Sequence, residues 1–328
     1  MDAQKQLFEI IKNNIPEQYR LVDVVGELLG LSPDSAYRRI RGEKELSLSE
    51  LQMLCEKFNL SMDTILNYNS DQRTLFQYTS VNMADPGSYI RYIERLSHSL
   101  TGLLTVEDKE LFFTAQDIPF YHFLNYTELL FFKLYVWYDI LNKEHLSFQD
   151  FCDKLDKDRI LPVYRQMYRA YMQIPSKEIW TSQTVDTILR LLDFYIETGA
   201  FNTKETVFLL LNQLSQLLDT VHGYAKDGYK DGEKKKTVFD LYICSVDLEN
   251  NFMLTRRENR LACSIKLYTV NSITTDNMAL CHETLKWIND LILKSTLISG
   301  TSVKEQFRFF QTSKNKIDGL VNKIESMK

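Results

Sequence analysis

The chain has 328 residues, 44% of them hydrophobic and 25% charged, and its formal net charge is −5. That length allows two or three domains with substantial cores, and the composition excludes a disordered or fibrous protein. The negative net charge gives no indication that the chain as a whole coats nucleic acid. Because there is neither a long apolar run nor a signal-peptide layout, we expect a cytoplasmic protein without a membrane partner.

Two apolar stripes at helical spacing open the chain. They consist of Leu7, Phe8, Ile11 and Ile15, followed by Leu21, Val24, Val25 and Leu28. Pro16 should end the first helix, and Gly30 should end the second in the left-handed conformation that glycine adopts readily. Gly26 lies on the inner side of the second helix, where its missing side chain would let the next helix approach closely.

The next helix is predicted from about Pro33 to Arg41. Ser32 has the hydroxyl of an N-cap residue, and Pro33 fits the first helical position because that position has no intrahelical N–H bond. Gly42 would end the helix. Two such helices joined by a short turn form a helix-turn-helix, whose second helix is the one that reads DNA.

The faces of this second helix differ in chemistry. Ala36 and Ile40 should point inward with Tyr37 beside them. The outer face consists of Asp34, Ser35, Arg38 and Arg39, with Arg41 and Lys44 just beyond it. Arginine pairs with guanine through its fork of N–H groups, and flanking basic groups hold phosphates. The predicted DNA-binding residues are Ser32, Asp34, Ser35, Tyr37, Arg38, Arg39, Arg41 and Lys44. Within this set, base contacts are assigned to Ser35, Arg38 and Arg39, and phosphate contacts to Arg41 and Lys44.

A regular scaffold follows the predicted recognition helix. Ser47 and Glu50 form an S-x-x-E capping box, in which each residue bonds the backbone of the other. The helix that they open would turn one apolar face inward, formed by Leu48, Leu51, Cys55 and Phe58. Ser61 would cap a further short helix through Leu66. Five short helices in about 65 residues indicate a compact bundle.

Residues 1–68 resemble the lambda-repressor-like, Cro-type family, also called XRE. The resemblance is carried by G-E-L-L-G-L-S at Gly26–Ser32, by the arginine-rich helix before Gly42, and by S-L-S-E-L at Ser47–Leu51 with F-N-L-S-M-D-T-I-L at Phe58–Leu66. It implies a homodimer that binds a two-fold operator in double-stranded DNA, with the helix from Pro33 in the major groove.

The N-terminal region departs from this family in three ways. The second apolar position of the predicted recognition helix is shifted, since Ile40 lies only two residues before Gly42. At the start of the first helix of the pair, the family has a Ser or Thr followed by a Gln that contacts a phosphate. This chain has Leu21 and Val22 at those positions, so Tyr19 or Arg20 would have to supply the phosphate contact. Residues 1–68 also hold eight Lys or Arg against eleven Asp or Glu. Because non-specific DNA affinity grows with the number of phosphates neutralised, this balance predicts weak binding outside a specific site.

The remainder of the chain is predicted to begin after a polar boundary at Asn67–Asp71. A central helical domain would span residues 72–225, with an α+β portion, residues 237–328, packed on it. The predicted helices of the central domain are Tyr89–Leu104, Phe120–Leu141, Asp158–Met172, Glu178–Thr198 and Lys204–His222. A β-like run at Glu110–Ala115 interrupts them, and the charged, turn-rich segment Gly223–Lys236 predicts an exposed loop.

The hydrophobic period changes after residue 237. Thr237–Val246, Asn251–Arg257 and Leu261–Val270 are rich in β-branched and aromatic residues, which favours a three-stranded antiparallel meander. Two helices, Thr275–Leu297 and Ser302–Met327, would close the chain. The fold class is therefore mainly α, with a five-helix N-terminal domain, a central helical domain and a C-terminal α+β portion.

Two apolar features each allow two interpretations. Asp117–Tyr138 is apolar on nearly every face, so it forms either plain core, which we favour, or part of an effector pocket. The last helix carries a 4-3 repeat that fits either packing onto the sheet, which we favour, or a dimer seam. The repeat consists of Val303, Phe307, Phe310, Lys314, Ile317, Val321 and Ile324.

Motifs for catalysis or cofactor binding are missing from the sequence. It has no phosphate-binding loop, no dinucleotide-binding glycine pattern, no G-x-S-x-G and no H-E-x-x-H. The five cysteines are far apart and no two of them form a C-x-x-C motif, so we expect free thiols and no bound metal. Because the other motifs are missing as well, we expect no cofactor and no enzymatic activity. The prediction is a sequence-specific transcriptional regulator whose C-terminal region dimerises or senses an unknown small-molecule or peptide effector. The alternatives are a protein-interaction adaptor that keeps the fold without binding DNA, and an enzyme targeted by the helix-turn-helix.

Overall fold

The computed structural model describes residues 3–15, 19–58, 60, 74–83, 85–142, 145–232, 236–248 and 250–327. Contacts within the chain divide it into two compact units, Met1–Leu75 and Phe76–Lys328, which are called the N-terminal unit and the C-terminal unit below. The predicted boundary at Asn67–Asp71 lies outside the described residues.

The N-terminal unit contains a small helical bundle. Its described helices are α1 (Ala3–Asn14), α2 (Leu21–Leu29), α3 (Pro33–Ile40) and α4 (Leu48–Phe58). Their apolar faces meet in one core, formed by Leu7, Phe8, Ile11, Val22, Val25, Ala36 and Leu54. The stop at Pro16 and the predicted helix from Ser61 to Leu66 lie outside the described residues.

One apolar position in α4 was assigned wrongly. Leu48 is 78% exposed, whereas Leu54 is fully buried. Leu51, Leu54, Cys55 and Phe58 follow the spacing i, i+3, i+4, i+7, which makes them the stripe that faces the core. Leu48 is the first residue of the helix, and its side chain is exposed to solvent instead of packing in this core.

The C-terminal unit is built on a mixed sheet that has eight strands within the described residues. They are β1 (Gln77–Thr79), β2 (Lys109–Ala115), β3 (Ser176–Thr181), β4 (Phe239–Cys244), β5 (Phe252–Arg257), β6 (Arg260–Lys266), β7 (Ser272–Thr275) and β8 (Ser295–Leu297). Their order is β1-β7-β6-β5-β2-β3-β4-β8. The neighbours β2, β3 and β4 are parallel and all other neighbours are antiparallel.

Helices cover both faces of this sheet. They are α5 (Pro86–Gly102), α6 (Thr127–Leu141), α7 (Phe148–Lys154), α8 (Lys157–Tyr171), α9 (Asp186–Glu197), α10 (Lys204–Asp227), α11 (Met278–Leu293) and α12 (Val303–Ser326). Short 3-10 turns occur at Leu103–Thr105 and Phe120–Asn125. Side chains alternate between the two faces, so Phe113 joins a large core with most of these helices, whereas Phe112 joins a smaller core with α11.

The region predicted as a helix over Glu178–Thr198 is a strand followed by a helix. β3 occupies Ser176–Thr181, and α9 begins only at Asp186. Ile179 belongs to the core on one face of the sheet and Trp180 to the core on the other. Because a parallel strand with both faces buried has no polar alternation, its period of two was hidden in the sequence.

The first strand of the predicted three-stranded meander is present, but its pairing is wrong. β4 pairs with β3 and β8, and two strands separate it from β5. The parallel pairing of β3 and β4 needs a crossover connection, which α9 and α10 provide. The antiparallel run is instead β5-β6-β7-β1, so strands from the region predicted as helical and from the C-terminal portion share one sheet.

The segment predicted as an exposed loop at Gly223–Lys236 is partly helical. Helix α10 continues through Asp227, and Gly228 ends it with a φ of 72°. Lys230 is only 3% exposed, because its ammonium group donates to the carbonyl oxygens of Tyr171 and Ile174. The correction follows from these two internal acceptors, which the charged sequence did not reveal.

Both apolar segments with two interpretations contribute to the core. In α6, every residue from Leu129 to Trp137 is buried. In α12, Phe310, Ile317 and Ile324 are buried, while Val303 and Phe307 are exposed. The helix packs against α10 and α9, and Phe309 contacts the sheet. Within the described part of the chain, no helix has the length and apolarity that crossing a membrane requires.

Candidate nucleic-acid interface

A tight turn joins α2 to α3. Gly30 ends α2 with a φ of 63°, in the left-handed region that favours glycine. Leu31 then donates its backbone N–H to the carbonyl of Gly26 at 2.8 Å. A side-chain carbon at Gly26 would lie 3.2 Å from the oxygen of Leu31 and 3.9 Å from Cβ of Ala36. Gly26 therefore faces α3 as predicted, but the tight contact at this position is with the turn, since the distance to Ala36 is an ordinary van der Waals contact.

The start of α3 is capped as the sequence predicted. The Ser32 hydroxyl oxygen accepts from the backbone N–H of Ser35 at 3.4 Å and lies 3.1 Å from the Ser35 hydroxyl. Pro33 occupies the first helical position. Asp34 is exposed in the first turn, where a negative charge stabilises a helix by interacting with its dipole. These contacts fix where α3 begins.

Two consecutive arginines of α3 have opposite environments. Arg38 is exposed, whereas Arg39 is only 6% exposed. The Arg39 guanidinium lies 2.6 Å from the carboxylate of Glu50 and also donates to the carbonyl of Ser35 at 3.2 Å. The prediction that Arg39 belongs to the outer face is wrong, because consecutive helical residues point about 100° apart. Arg39 instead connects α3 to α4.

Glu50 serves two structural purposes. One carboxylate oxygen accepts from the backbone N–H of Ser47 at 2.8 Å, and the Ser47 hydroxyl accepts from the N–H of Glu50 at 3.2 Å, which confirms the capping box. Its other oxygen holds Arg39. The hydrogen bond from Arg39 lowers the pKa of Glu50 below its usual value, so the carboxylate remains ionised and paired at neutral pH.

The outer surface of α3 is exposed and mainly basic. It carries Tyr37 and Arg38, and Arg41 and Lys44 follow in the segment directly after α3; all four residues are exposed. Arg20, at the start of α2, donates to the Tyr37 hydroxyl at 3.0 Å, and the guanidinium of Arg41 lies 5.5 Å from the centre of the same ring. Tyr37 thus lies between two arginines instead of packing inward beside Ala36. Arg20, which the sequence suggested as a substitute phosphate contact, is next to α3.

Gln4 in α1 is a positioning residue that sequence reasoning missed. Its side-chain amide donates to the carbonyls of Arg39 and Lys44 at 2.7 and 2.8 Å, and its oxygen accepts from the N–H of Leu46 at 2.9 Å. These bonds fix the segment that follows α3 and carries the basic residues. A glutamine 35 to 42 residues away in the sequence gives no local signal of this role.

The other predicted contact residues lie at the start of α3, directly after the turn. Ser32 and Asp34 are exposed, and Ser35 is half-buried. Among the described residues, no group of His, Cys, Asp or Glu side chains is arranged to hold a metal ion. All five cysteines are free thiols.

This geometry defines a helix-turn-helix unit with an exposed basic face on its second helix. Residues 9–95 match the family model of the BetR domain, a helix-turn-helix-type DNA-binding domain found in regulators. The match begins in α1 and extends through β1 into α5. Comparisons with curated proteins and with solved structures gave no match. The chain is therefore similar to DNA-binding regulators in its N-terminal part.

Proposed function

We propose that the protein is a cytoplasmic, sequence-specific transcriptional regulator, in which α3 enters the major groove of double-stranded DNA as in the Cro-type family. The observation that carries this proposal is that α3 has one set of residues that packs against the bundle and another that is exposed. Ala36 and Arg39 hold the helix to the bundle, while Arg38 and its basic neighbours project from it. The match to the BetR domain supports the same assignment.

Each exposed residue of the surface has a proposed role. Arg38 would read a base edge, since a guanidinium can donate two parallel hydrogen bonds to guanine. Arg20, Arg41 and Lys44 would hold phosphates on either side of it. Arg39 would act indirectly, by fixing the orientation of α3 through Glu50. The acidic balance of the rest of the unit would limit binding to DNA outside the specific site.

A homodimer on a two-fold operator completes the proposal. Two copies of α3 would then enter successive major grooves about 34 Å apart, which matches one turn of DNA. The C-terminal unit would supply the sensing or dimerisation region. Sedimentation of the purified chain at several concentrations, with and without operator DNA, measures whether the DNA-bound species contains two copies.

The test of the DNA-binding role is a selection from sheared genomic DNA by the purified full-length chain. Wild type, Arg38→Ala and Arg38→Lys are compared at the same salt concentration, with Lys57→Ala as a control that removes an exposed charge from α4. We expect wild type and the control to enrich the same two-fold motif and Arg38→Ala to lose it. Arg38→Lys keeps the charge without the guanidinium fork, so it should bind DNA but enrich the motif weakly.

Failure of the folded wild-type chain to enrich any motif would overturn the proposal. The function then favoured would be a protein-interaction adaptor that uses the helix-turn-helix only for assembly. Equal enrichment by wild type and Arg38→Ala would contradict the specific assignment of Arg38. Circular dichroism of each variant distinguishes both results from unfolding.

A further inference from the structure

A cavity of about 170 Å³ lies in the C-terminal unit, between the sheet and helices α5 and α6. The sheet register explains why space remains there. Met253 in β5 pairs with Ser264 in β6, and Lys266 in β6 pairs with Ser272 in β7, so these side chains share a face. Two of them are serines, which are too short to fill the gap between a sheet and the helices above it.

The walls of this cavity are largely aromatic. Tyr92 from α5 and Trp137 from α6 line it together with Phe120 and Tyr121 from the segment before α6. The rings of Phe120 and Trp137 lie 5.8 Å apart between centres, and the ring of Tyr121 stacks on another tyrosine outside the cavity. An engineered cavity of about 150 Å³ is known to accept benzene. The size and the walls therefore suit a ligand with one aromatic ring.

Three charged groups are clustered at one side of the cavity. Lys133 lies 2.5 Å from the carboxylate of Asp117, and Lys266 lies 3.8 Å from the same oxygen. Lys133 and Asp117 are buried, and the side chain of Lys266 is 35% exposed. Burial and the nearby charge of Lys133 lower the pKa of Lys266, while Asp117 raises it. Two ammonium groups thus share one carboxylate, which leaves a local excess of positive charge.

The carboxylate of Asp117 also has an unused hydrogen-bonding position. Its Oδ1 atom is buried and has no hydrogen-bond partner among the described residues. A buried acceptor without a donor is unfavourable, because it has lost its hydrogen bonds to water. A ligand that brought a carboxylate for Lys266 and an adjacent O–H or N–H for Asp117 would satisfy both the charge and the acceptor.

A second, polar cavity of about 250 Å³ adjoins the first one. The two share Asp117, Asn251, Lys266 and Thr269 in their linings, and Arg190 lines the second one only. The charged cluster is therefore located where an aromatic compartment meets a polar one. A ligand with an apolar ring at one end and an acid at the other matches this arrangement.

We propose that the C-terminal unit binds a small aromatic carboxylate with one ring and a hydroxyl or amino group next to its acid. The ring occupies the compartment between Tyr92 and Trp137, the carboxylate pairs with Lys266, and the adjacent group donates to Asp117. This inference gives the sensing part of the proposed function a chemical class of ligand. Its test uses no DNA, so its failure can be told apart from a failure of DNA binding.

Isothermal titration calorimetry of the full-length chain with three related compounds tests this site. Phenylacetate carries the ring and the acid, phenylacetamide is its neutral counterpart, and mandelate adds a hydroxyl next to the acid. We expect phenylacetate to bind roughly tenfold more tightly than phenylacetamide, because charge-assisted hydrogen bonds are the stronger ones. Mandelate should bind more tightly than phenylacetate, since it also supplies a donor to Asp117.

Three variants assign the effect to the charged cluster. Lys266→Met should abolish the preference for the acid over the amide, whereas Lys286→Met, at an exposed lysine of α11, should leave it unchanged. Asp117→Asn should act in the opposite direction and strengthen phenylacetate binding, because it removes a negative charge beside the ligand. Thermal unfolding of each variant confirms that it is folded.

Equal affinities for phenylacetate and phenylacetamide would overturn the proposal. So would the absence of binding of all three compounds to the folded wild-type chain. An unchanged acid preference in folded Lys266→Met would show that the acid is held elsewhere, and the assignment of this site would be abandoned.

Discussion

Several basic side chains of the two units differ in their exposure to solvent. In the N-terminal unit, Arg38 is exposed on α3, and Arg41 and Lys44 are exposed in the segment directly after it. In the C-terminal unit, Lys133 and Lys230 are buried inside the fold. An exposed row of cations is accessible to an extended polyanion such as DNA, whereas an enclosed cation is accessible only to a group small enough to reach it.

The buried carboxylates show why enclosure alone does not make a binding site. Glu178 is fully buried, and its two oxygens accept from Tyr171 at 2.6 Å and Trp180 at 3.0 Å and contact His122 at 2.8 Å. Asp117, by contrast, has one oxygen without a partner among the described residues and lies beside a cavity. A carboxylate whose oxygens all have hydrogen-bond partners stabilises the fold. A carboxylate with a free oxygen beside a cavity can bind a ligand.

The largest predicted effect comes from removing the buried carboxylate of Glu178. Burial alone would raise the pKa of Glu178, but the neighbouring His122 and Lys230 hold it below its usual value. Glu178→Gln removes this charge and leaves its partners uncompensated, so we expect the C-terminal unit to lose about 3 kcal/mol or more of unfolding free energy. Urea unfolding, monitored through hydrogen exchange of the peptide that contains β3, measures this loss of unfolding free energy. Glu283→Gln, at an exposed position of α11, should change stability by less than about 0.5 kcal/mol.

The next effect separates the two neighbouring arginines of α3. Arg39→Met leaves Glu50 without its partner, and we expect a loss of about 1–3 kcal/mol in the N-terminal unit. Arg38→Met removes an exposed side chain and should leave stability nearly unchanged. Hydrogen exchange of peptides from α3 and α4 in the full-length chain reports both. Equal protection in the two variants would contradict the structural role assigned to Arg39.

A pH-dependent effect concerns Lys230 under alkaline conditions. Burial lowers the pKa of Lys230 to about 7, although Glu178 opposes the shift. Because the unfolded chain then binds more protons than the folded one, the stability of the C-terminal unit should rise between about pH 7 and about pH 10. Lys230→Met should flatten this rise. Urea midpoints of wild type and variant across that range measure the difference, and parallel curves would contradict it.

The smallest effect concerns Glu50 at acidic pH. Its pKa is lowered in the folded unit by Arg39, so its ionised form contributes stability above the unfolded pKa of about 4.3. That contribution is lost as the pH falls through the lowered folded value. Between about pH 5 and about pH 3, the protection of α4 should decrease more in wild type than in Glu50→Gln. A steeper loss in the variant would reverse the assigned sign.

Local signals were sufficient to predict the helices of the N-terminal unit. The turn at Gly30, the cap at Ser32 and the capping box at Ser47 depend on residues a few positions apart, and the structure contains all three. The orientation of Arg39 depends on Glu50, eleven residues away, and the role of Gln4 depends on still longer range contacts. Periodicity cannot distinguish an exposed arginine from one that is buried with a partner.

Long-range pairing limited the prediction of the C-terminal unit. The strand segments of β2, β4, β5 and β6 were identified. The placement of β2 and β3 between β4 and β5 was not, because it depends on crossover connections that leave no local pattern. The cavity likewise depends on which short residues face the helices, such as Ser264 and Ser272, and this follows only from the register.

The most direct test of the central claim is the affinity of the chain for its selected operator, measured for wild type and for Arg38→Ala at matched salt concentrations. A bidentate contact to a base is worth about 1–3 kcal/mol, so the variant should bind the operator roughly 5- to 150-fold more weakly. Its affinity for a shuffled sequence should change far less, and Lys57→Ala should resemble wild type. Equal affinities of wild type and Arg38→Ala for the operator would contradict the claim that α3 reads DNA.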